Sequence, residues 1–231
     1  MHIFVAVTAF LLASPAAGKS AVRLDGEKFT RISASSAFEI EVRQGSEHTA
    51  EIIVDDELKE ALIARVRGGT LELGLENRDS FWGRKKSGNK TMRAKVTLPR
   101  LTGLDLSGAT DVNLIGIDIE GTFDIDASGA SDINGELRAT EIQVDLSGAS
   151  DLTLKGYAVR ARIDCSGASD VNLFDFTTDT ATVSASGASD VEIDVREEID
   201  ATASGTADIT YSGAATIGRS NASGRAEISK R

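Results

Sequence analysis

From Leu101 to Arg231 the chain alternates apolar and polar side chains in short runs that return at an almost constant interval. Leu104 and Leu106 flank Asp105, Ile125 and Ala127 flank Asp126, and Val144 and Leu146 flank Asp145. Ile163 and Cys165 flank Asp164 in the same way, and Val183 and Ala185 flank Ser184. A second apolar pair follows a few residues later: Val112 and Leu114, Leu152 and Leu154, Val171 and Leu173, Val191 and Ile193. Alternation with period two predicts strands with one face in and one face out. Between the two runs sits SGATD at 107–111 and SGASD at 128–132, 147–151, 166–170 and 186–190, echoed by SGTAD at 204–208 and SGRAE at 223–227. The serine-to-serine steps are 21, 19, 19, 20, 18 and 19 residues.

A short, nearly fixed period marks a solenoid. The predicted fold is all-β: a single-stranded parallel β-helix, right-handed, with an N-terminal β-rich cap containing one short helix. A hexapeptide left-handed helix needs a stricter period, and a propeller blade needs about twice the length per repeat. Each coil reads as strand, glycine turn, strand and a return loop that absorbs the variation in length. Stacking places equivalent positions about 4.8 Å apart. Ala130, Ala149, Ala168 and Ala188 are expected to stack as a narrow core, and the serines at 107, 128, 147, 166, 186, 204 and 223 as a polar ladder. Asp111, Asp132, Asp151, Asp170, Asp190 and Asp208 form a second ladder, ending at Glu227.

The chain before the repeats reads differently. FTRIS, AFEIEV and TAEIIV within 28–54 predict strands, with a hairpin-like turn at Gly45 between the last two. Asp55 and Asp56 then cap a predicted amphipathic helix, ELKEALIARV, with Leu58, Leu62 and Val66 on one face. Gly68 and Gly69 stop it, and TLELGLE and MRAKVTLP are again strands, with Pro99 leading into the repeats. Residues 19–100 are thus expected to cap the solenoid of 101–231 as one continuous domain, covering an edge that would otherwise template aggregation. Between the last two strands, residues 77–90 interleave Phe81 and Trp82 with Arg84, Lys85, Lys86 and Lys90. Such a loop can grip an anionic surface or a glycan ring, and it is the candidate partner-binding loop; its plainer role is a solvated hairpin loop whose Trp folds back on the solenoid.

Residues 3–13 are an uncharged apolar run followed by Ser14-Pro15-Ala16-Ala17-Gly18, the pattern of a signal peptide over 1–18. The run is short for a membrane span, and no second one follows. Cys165 stands alone, so no intramolecular disulfide forms, and its place in the inward row predicts a buried thiol. His2 and His48 are the only histidines, which leaves little material for nucleophilic catalysis. No cofactor site and no metal site is assigned.

The formal charge of −11 is unevenly spread: residues 101–231 hold 9 basic and 23 acidic side chains, residues 1–100 hold 16 and 13. An acidic solenoid argues against nucleic acid and anionic lipid as partners of that half. The aspartate row lacks the glycine density of repeat calcium binders, and hydrogen bonds from the turn amides are its expected support.

Taken together, FTRISASSAFEIEVRQG, VDDELKEALIARVRGGTLELGLE, VTLPRLTGLDLSGATDV and the successive SGASD turns resemble the bacterial auto-transporter adhesin, head GIN domain family over about residues 28–230. Where members of that group carry Ser-Gly-Ala-Gly-Asp, this chain has Ser or Thr at the fourth position, with no expected consequence for the fold. The resemblance implies an exported β-helical domain, periplasmic or on the cell surface, and brings no catalytic residues. Three roles follow: a non-enzymatic binding module for an envelope protein or a glycan, a structural spacer, or a polysaccharide lyase or hydrolase using paired aspartates. The periodicity of the acids favours the first two, because a catalytic pair breaks a repeat locally.

Overall fold

One glycine per repeat makes the corner on which the coils stack. In the computed structural model, which describes residues 18–76 and 90–231, the corner glycines from Gly108 to Gly224 hold φ between +79° and +96°. A Cβ on Gly148 would lie 2.5 Å from the carbonyl oxygen of Gly129 in the preceding coil. Only glycine allows both that backbone conformation and that approach. The corners stay hydrogen-bonded between coils, as in Ala149 N–H to Gly129 O at 2.8 Å and Ala168 N–H to Gly148 O at 2.8 Å.

Strands β8 (Gly103–Gly108) and β10 (Thr122–Gly129) enter corners, and β9 (Asp111–Asp118) leaves one. From β11 (Asp132–Leu146) through β12 (Asp151–Cys165), β13 (Asp170–Ala185) and β14 (Asp190–Ala203), each coil is one long strand from corner to corner. Strands β15 (Asp208–Ser212), β16 (Thr216–Ala222) and β17 (Glu227–Lys230) complete the stack, with parallel pairing from β8 to β17. The fold is thus the expected parallel β-solenoid. The return segments, however, are strand rather than loop. Length differences are absorbed by β-bulges, such as the register shift between Leu173 and Thr177. A loop would leave the neighbouring coil's N–H and C=O groups unpaired, whereas a bulge sacrifices only a few ladder positions.

The stack begins before the recognisable repeats. Strands β2 (Arg31–Ser36) and β3 (Glu39–Gln44) run parallel to β8 and β9, with Ser35 opposite Ser107, Ser36 opposite Gly108 and Glu39 opposite Asp111. Ser35-Ser36-Ala37-Phe38-Glu39 is therefore a divergent corner, and Ser36 takes the glycine conformation at φ +81°. Strands β6 (Thr70–Leu75) and β7 (Met92–Leu98) form a further layer on the outer side of β2 and β3. Antiparallel strands close the end: β5 (Leu62–Arg67) on β6, β4 (Thr49–Asp55) on β7, and β1 (Lys19–Asp25) on β4.

Two local expectations fail here. β3 and β4 form no hairpin, because β7 lies between them and pairs with both. The predicted helix is a 3-10 helix over Asp56–Ala61 alone, and Leu62 to Arg67 continue as β5. Leu62, Ala64 and Val66 fit a strand facing the core as well as a helix face, and pairing with β6 decides between them. Among the described residues no helix is long and apolar enough to cross a membrane.

The core is one continuous apolar column with an unexpected lining at the corner. Ala130, Ala149, Ala168 and Ala188 are exposed, so they do not form the narrow core expected of them. The fourth corner residue is inside instead: Thr110, Ser131, Ser150, Ser169 and Ser189 are fully buried. Alternation counted back from Ile133 or Leu152 places Ser131 and Ser150 on the inner face, because the corner glycine inverts the phase only ahead of them.

Candidate binding surface

Phe81, Trp82, Arg84, Lys85 and Lys86 of the candidate loop lie outside the described residues. Lys90, where description resumes, pairs with Glu57 on the 3-10 helix at 3.3 Å.

The outward faces of the coils carry two columns of carboxylates. The first leaves the corners: Glu39, Asp111, Asp132, Asp151, Asp170, Asp190, Asp208 and Glu227, one per coil and in register along the stack. The sequence shows seven of these; Glu39 extends the row because β3 belongs to the stack. Coil-to-coil amides support part of it, with Asp170 N–H donating to Asp151 Oδ1 at 3.3 Å and Glu227 N–H to Asp208 Oδ1 at 3.0 Å. Partial burial raises the Asp111 carboxyl above its ordinary range, and the charges of Asp132 and Glu39 raise it further.

The second column enters the corners: Asp105, Asp126, Asp145 and Asp164, continued by Ser184 and Thr202. Beside it run the hydroxyls of Ser128, Ser147, Ser166 and Ser186, each with only a long bond of 3.4 to 3.5 Å to a carbonyl of the preceding coil. Between this second column and the serine row lies a groove of about 460 Å³ along the stack. Partial burial pushes the Asp145 carboxyl up, followed by the charges of Asp164 and Asp126, with Arg162 acting in the opposite direction. Arg31 reaches Asp126 at 3.8 Å, and Arg162 pairs with Asp164 at 3.1 Å.

Carboxylates one strand spacing apart stand at the separation that retaining glycosidases use, about 5 Å. Here that spacing recurs from coil to coil along both columns instead of occurring at a single pair. Among the described residues no group of three or more His, Cys, Asp or Glu side chains converges to hold a metal ion. Cys165 is 3% exposed on the inner face of β12, and burial followed by the Asp164 charge pushes its thiol up to about 12. A thiol so placed is almost entirely protonated at neutral pH and is no nucleophile.

Inside the same corners the buried hydroxyls form a ladder of their own. Ser150 Oγ donates to Ser147 O at 3.2 Å and accepts from Ser131 N–H at 3.4 Å; Ser169 Oγ repeats this with Ser166 O and Ser150 N–H. The hydroxyls of Ser150, Ser169 and Ser189 are thus structural struts, turned away from the outer surface.

Residues 28–215 match a family model described as "Putative auto-transporter adhesin, head GIN domain". No curated protein matches the chain. Among solved structures, a "putative adhesin" from Bacteroides fragilis superposes with a TM-score of 0.84 at 22% identity, covering 94% of this chain and 99% of that one. A "putative adhesin" from Parabacteroides merdae gives 0.66 at 16% identity over 94% and 97% of the two chains. A "Putative lipid binding protein" from Parabacteroides distasonis gives 0.65 at 17% identity over 94% and 98%. At these identities the likeness is one of fold.

Proposed function

The chain belongs to the auto-transporter adhesin, head GIN domain family, and on that footing we propose that it is a non-enzymatic, exported binding module. Its repetitive acidic face is the surface it presents to an envelope protein or a glycan. The observation that carries the reading is the registration of two carboxylate columns over successive coils. A lattice of identical groups serves an extended partner that makes the same contact many times, each contact weak and the sum substantial. Catalysis needs the opposite, a pair made unlike its neighbours. The family suggests an exported or surface protein, and the apolar run at residues 3–13 supports export by a signal peptide.

Incubating the purified protein with a panel of envelope glycans tests the reading. Saturable retention with no change in the glycan supports it. New reducing ends or unsaturated products would overturn it in favour of a polysaccharide-active enzyme. Sequencing the N-terminus of protein from fractionated cells checks the export half; Met1 retained in cytosolic protein would reject it.

A further inference from the structure

We propose that the groove beside Asp126, Asp145 and Asp164 docks a linear glycan of amino sugars bearing free ammonium groups, running along the stack with one ring per coil. This rests on the binding-module reading and specifies its ligand. The first argument is charge complementarity: among the described residues Asp105 and Asp145 have no salt-bridge partner, and Asp126 has only the distant Arg31 at 3.8 Å. Burial first, and then the charges of Asp164 and Asp126, raise the Asp145 carboxyl against the opposing pull of Arg162, which pairs with Asp164 at 3.1 Å. Cations from outside would relieve the repulsion within the column.

The second argument is spacing. Successive coils advance by about 4.8 Å, close to the advance of one pyranose ring in an extended chain; because alternate rings of a β-linked chain face opposite ways, an ammonium group meets the column at every second coil. An extended peptide presents side chains to one face only every second residue, about 6.8 Å apart, and would drift out of step with the columns. The third argument is the second wall of the groove. Ser128, Ser147, Ser166 and Ser186 offer weakly engaged hydroxyls opposite the carboxylates that can both donate to and accept from sugar hydroxyls, whereas a bare polyamine uses only their acceptor side.

Isothermal titration of the whole protein tests this with glucosamine oligomers, N-acetylglucosamine oligomers of equal length, and spermine. The glucosamine oligomers should bind about tenfold or more tightly than either of the others. Equal binding of the acetylated oligomers removes the ammonium from the recognition, and equal binding of spermine removes the ring; either overturns the inference. The groove variant Asp126→Asn/Asp145→Asn/Asp164→Asn should lose about tenfold or more, while Asp132→Asn/Asp151→Asn/Asp170→Asn on the other column keeps its affinity. Equal losses mean general attraction to an acidic protein and overturn it as well. Should the triple groove variant fail to fold, Asp145→Asn alone must weaken glucosamine binding more than Asp151→Asn does. Failure here alongside retention of some other glycan by the wild-type protein rejects the inference and leaves the binding-module reading standing.

Discussion

Arg31 donates from its guanidinium to Asp124 at 2.8 Å by reaching over Gly103, so one ion pair spans three adjacent strands. The register is Arg31 on β2, Gly103 on β8 and Asp124 on β10, and a Cβ on Gly103 would stand 2.6 Å from the guanidinium. The missing side chain is what lets the divergent first coil clasp the second regular one. Both partners are about one-third exposed, so Asp124→Asn should cost no more than about 1 kcal/mol. Gly103→Val should cost more, because it expels the guanidinium and breaks the pair as well. Urea midpoints of the two variants check the order; a smaller shift for Gly103→Val would show that the clasp does not depend on that space.

The solenoid was legible because its signal is repeated: the alternation around Asp105, Asp126, Asp145 and Asp164 says the same thing in each coil. The coil at Ser35-Ser36-Ala37-Phe38-Glu39 was hidden because it has neither the glycine nor the aspartate that mark the others, and because its neighbours in space are far away in sequence. The same distance hid the insertion of β7 beside β3 and β4, where local turn residues pointed to a hairpin. Ala130, expected inside, is exposed because alternation counted back from Ile133 through the corner puts Ser131 on the inner face in its place. The carboxylate columns were legible as rows; the groove between Asp145 and Ser147 was not, since its depth depends on how the corner folds.

Ser36 is a non-glycine residue at φ +81°, 6% exposed, with its hydroxyl buried among the described residues without a hydrogen-bond partner. Both features cost stability, through left-handed strain and through an unpaired polar group. Ser36→Gly should therefore stabilise by about 1 kcal/mol, the backbone relief being partly offset by the greater freedom of glycine in the unfolded chain. Chemical denaturation measures it, and a destabilised variant would mean that the serine hydroxyl finds a partner after all.

Stability should rise on mild acidification. Asp111 and Asp145 have carboxyls raised above the ordinary value by burial and by neighbouring carboxylates. The folded protein then binds more protons than the unfolded chain between the two values, so unfolding free energy falls as pH increases through that window. Descending from neutral pH, these two groups cease to destabilise as each is protonated in the fold. Glu141 and Asp200, lowered by hydrogen bonds from Gln143 and from the Arg219 amide respectively, act the other way at still lower pH. A thermal midpoint that peaks in mild acid, and that Asp111→Asn with Asp145→Asn raises at neutral pH, is the expected result. A midpoint falling steadily from neutrality would contradict it.

Cys165 should resist alkylation in the folded state, since burial keeps its thiol protonated with a value of about 12. Cys165→Ala should fold and cost about 1 kcal/mol or a little more as a small packing loss. Cys165→Asp should cost several kcal/mol by burying a charge in an apolar row. Labelling by iodoacetamide in native buffer and in urea reports the first, and melting curves report the others. Rapid native labelling would place the thiol at the surface of the groove instead of in the core.

The corner glycines give the sharpest test of the stack. Gly148 and Gly167 lie in coils sandwiched on both sides, whereas Gly224 belongs to the last described coil. A Cβ on Gly148 would come within 2.5 Å of the Gly129 carbonyl oxygen, one on Gly167 would collide with that of Gly148, and one on Gly224 would lie 2.7 Å from that of Gly205. All three also hold positive φ, so valine strains its own backbone at each site. The local insult is nearly the same, and what differs is the freedom to relieve it. The coil of Gly224 is held on one side only and can shift outward or fray, as the ends of a quasi-one-dimensional fold do. The coils of Gly148 and Gly167 can move only by separating from a neighbour, which breaks the ladder and opens the apolar column along the whole corner. Gly148→Val and Gly167→Val should therefore lower the urea midpoint far more than Gly224→Val. Equal losses at all three would mean that the stack unfolds as one cooperative block, with no independent terminal coil.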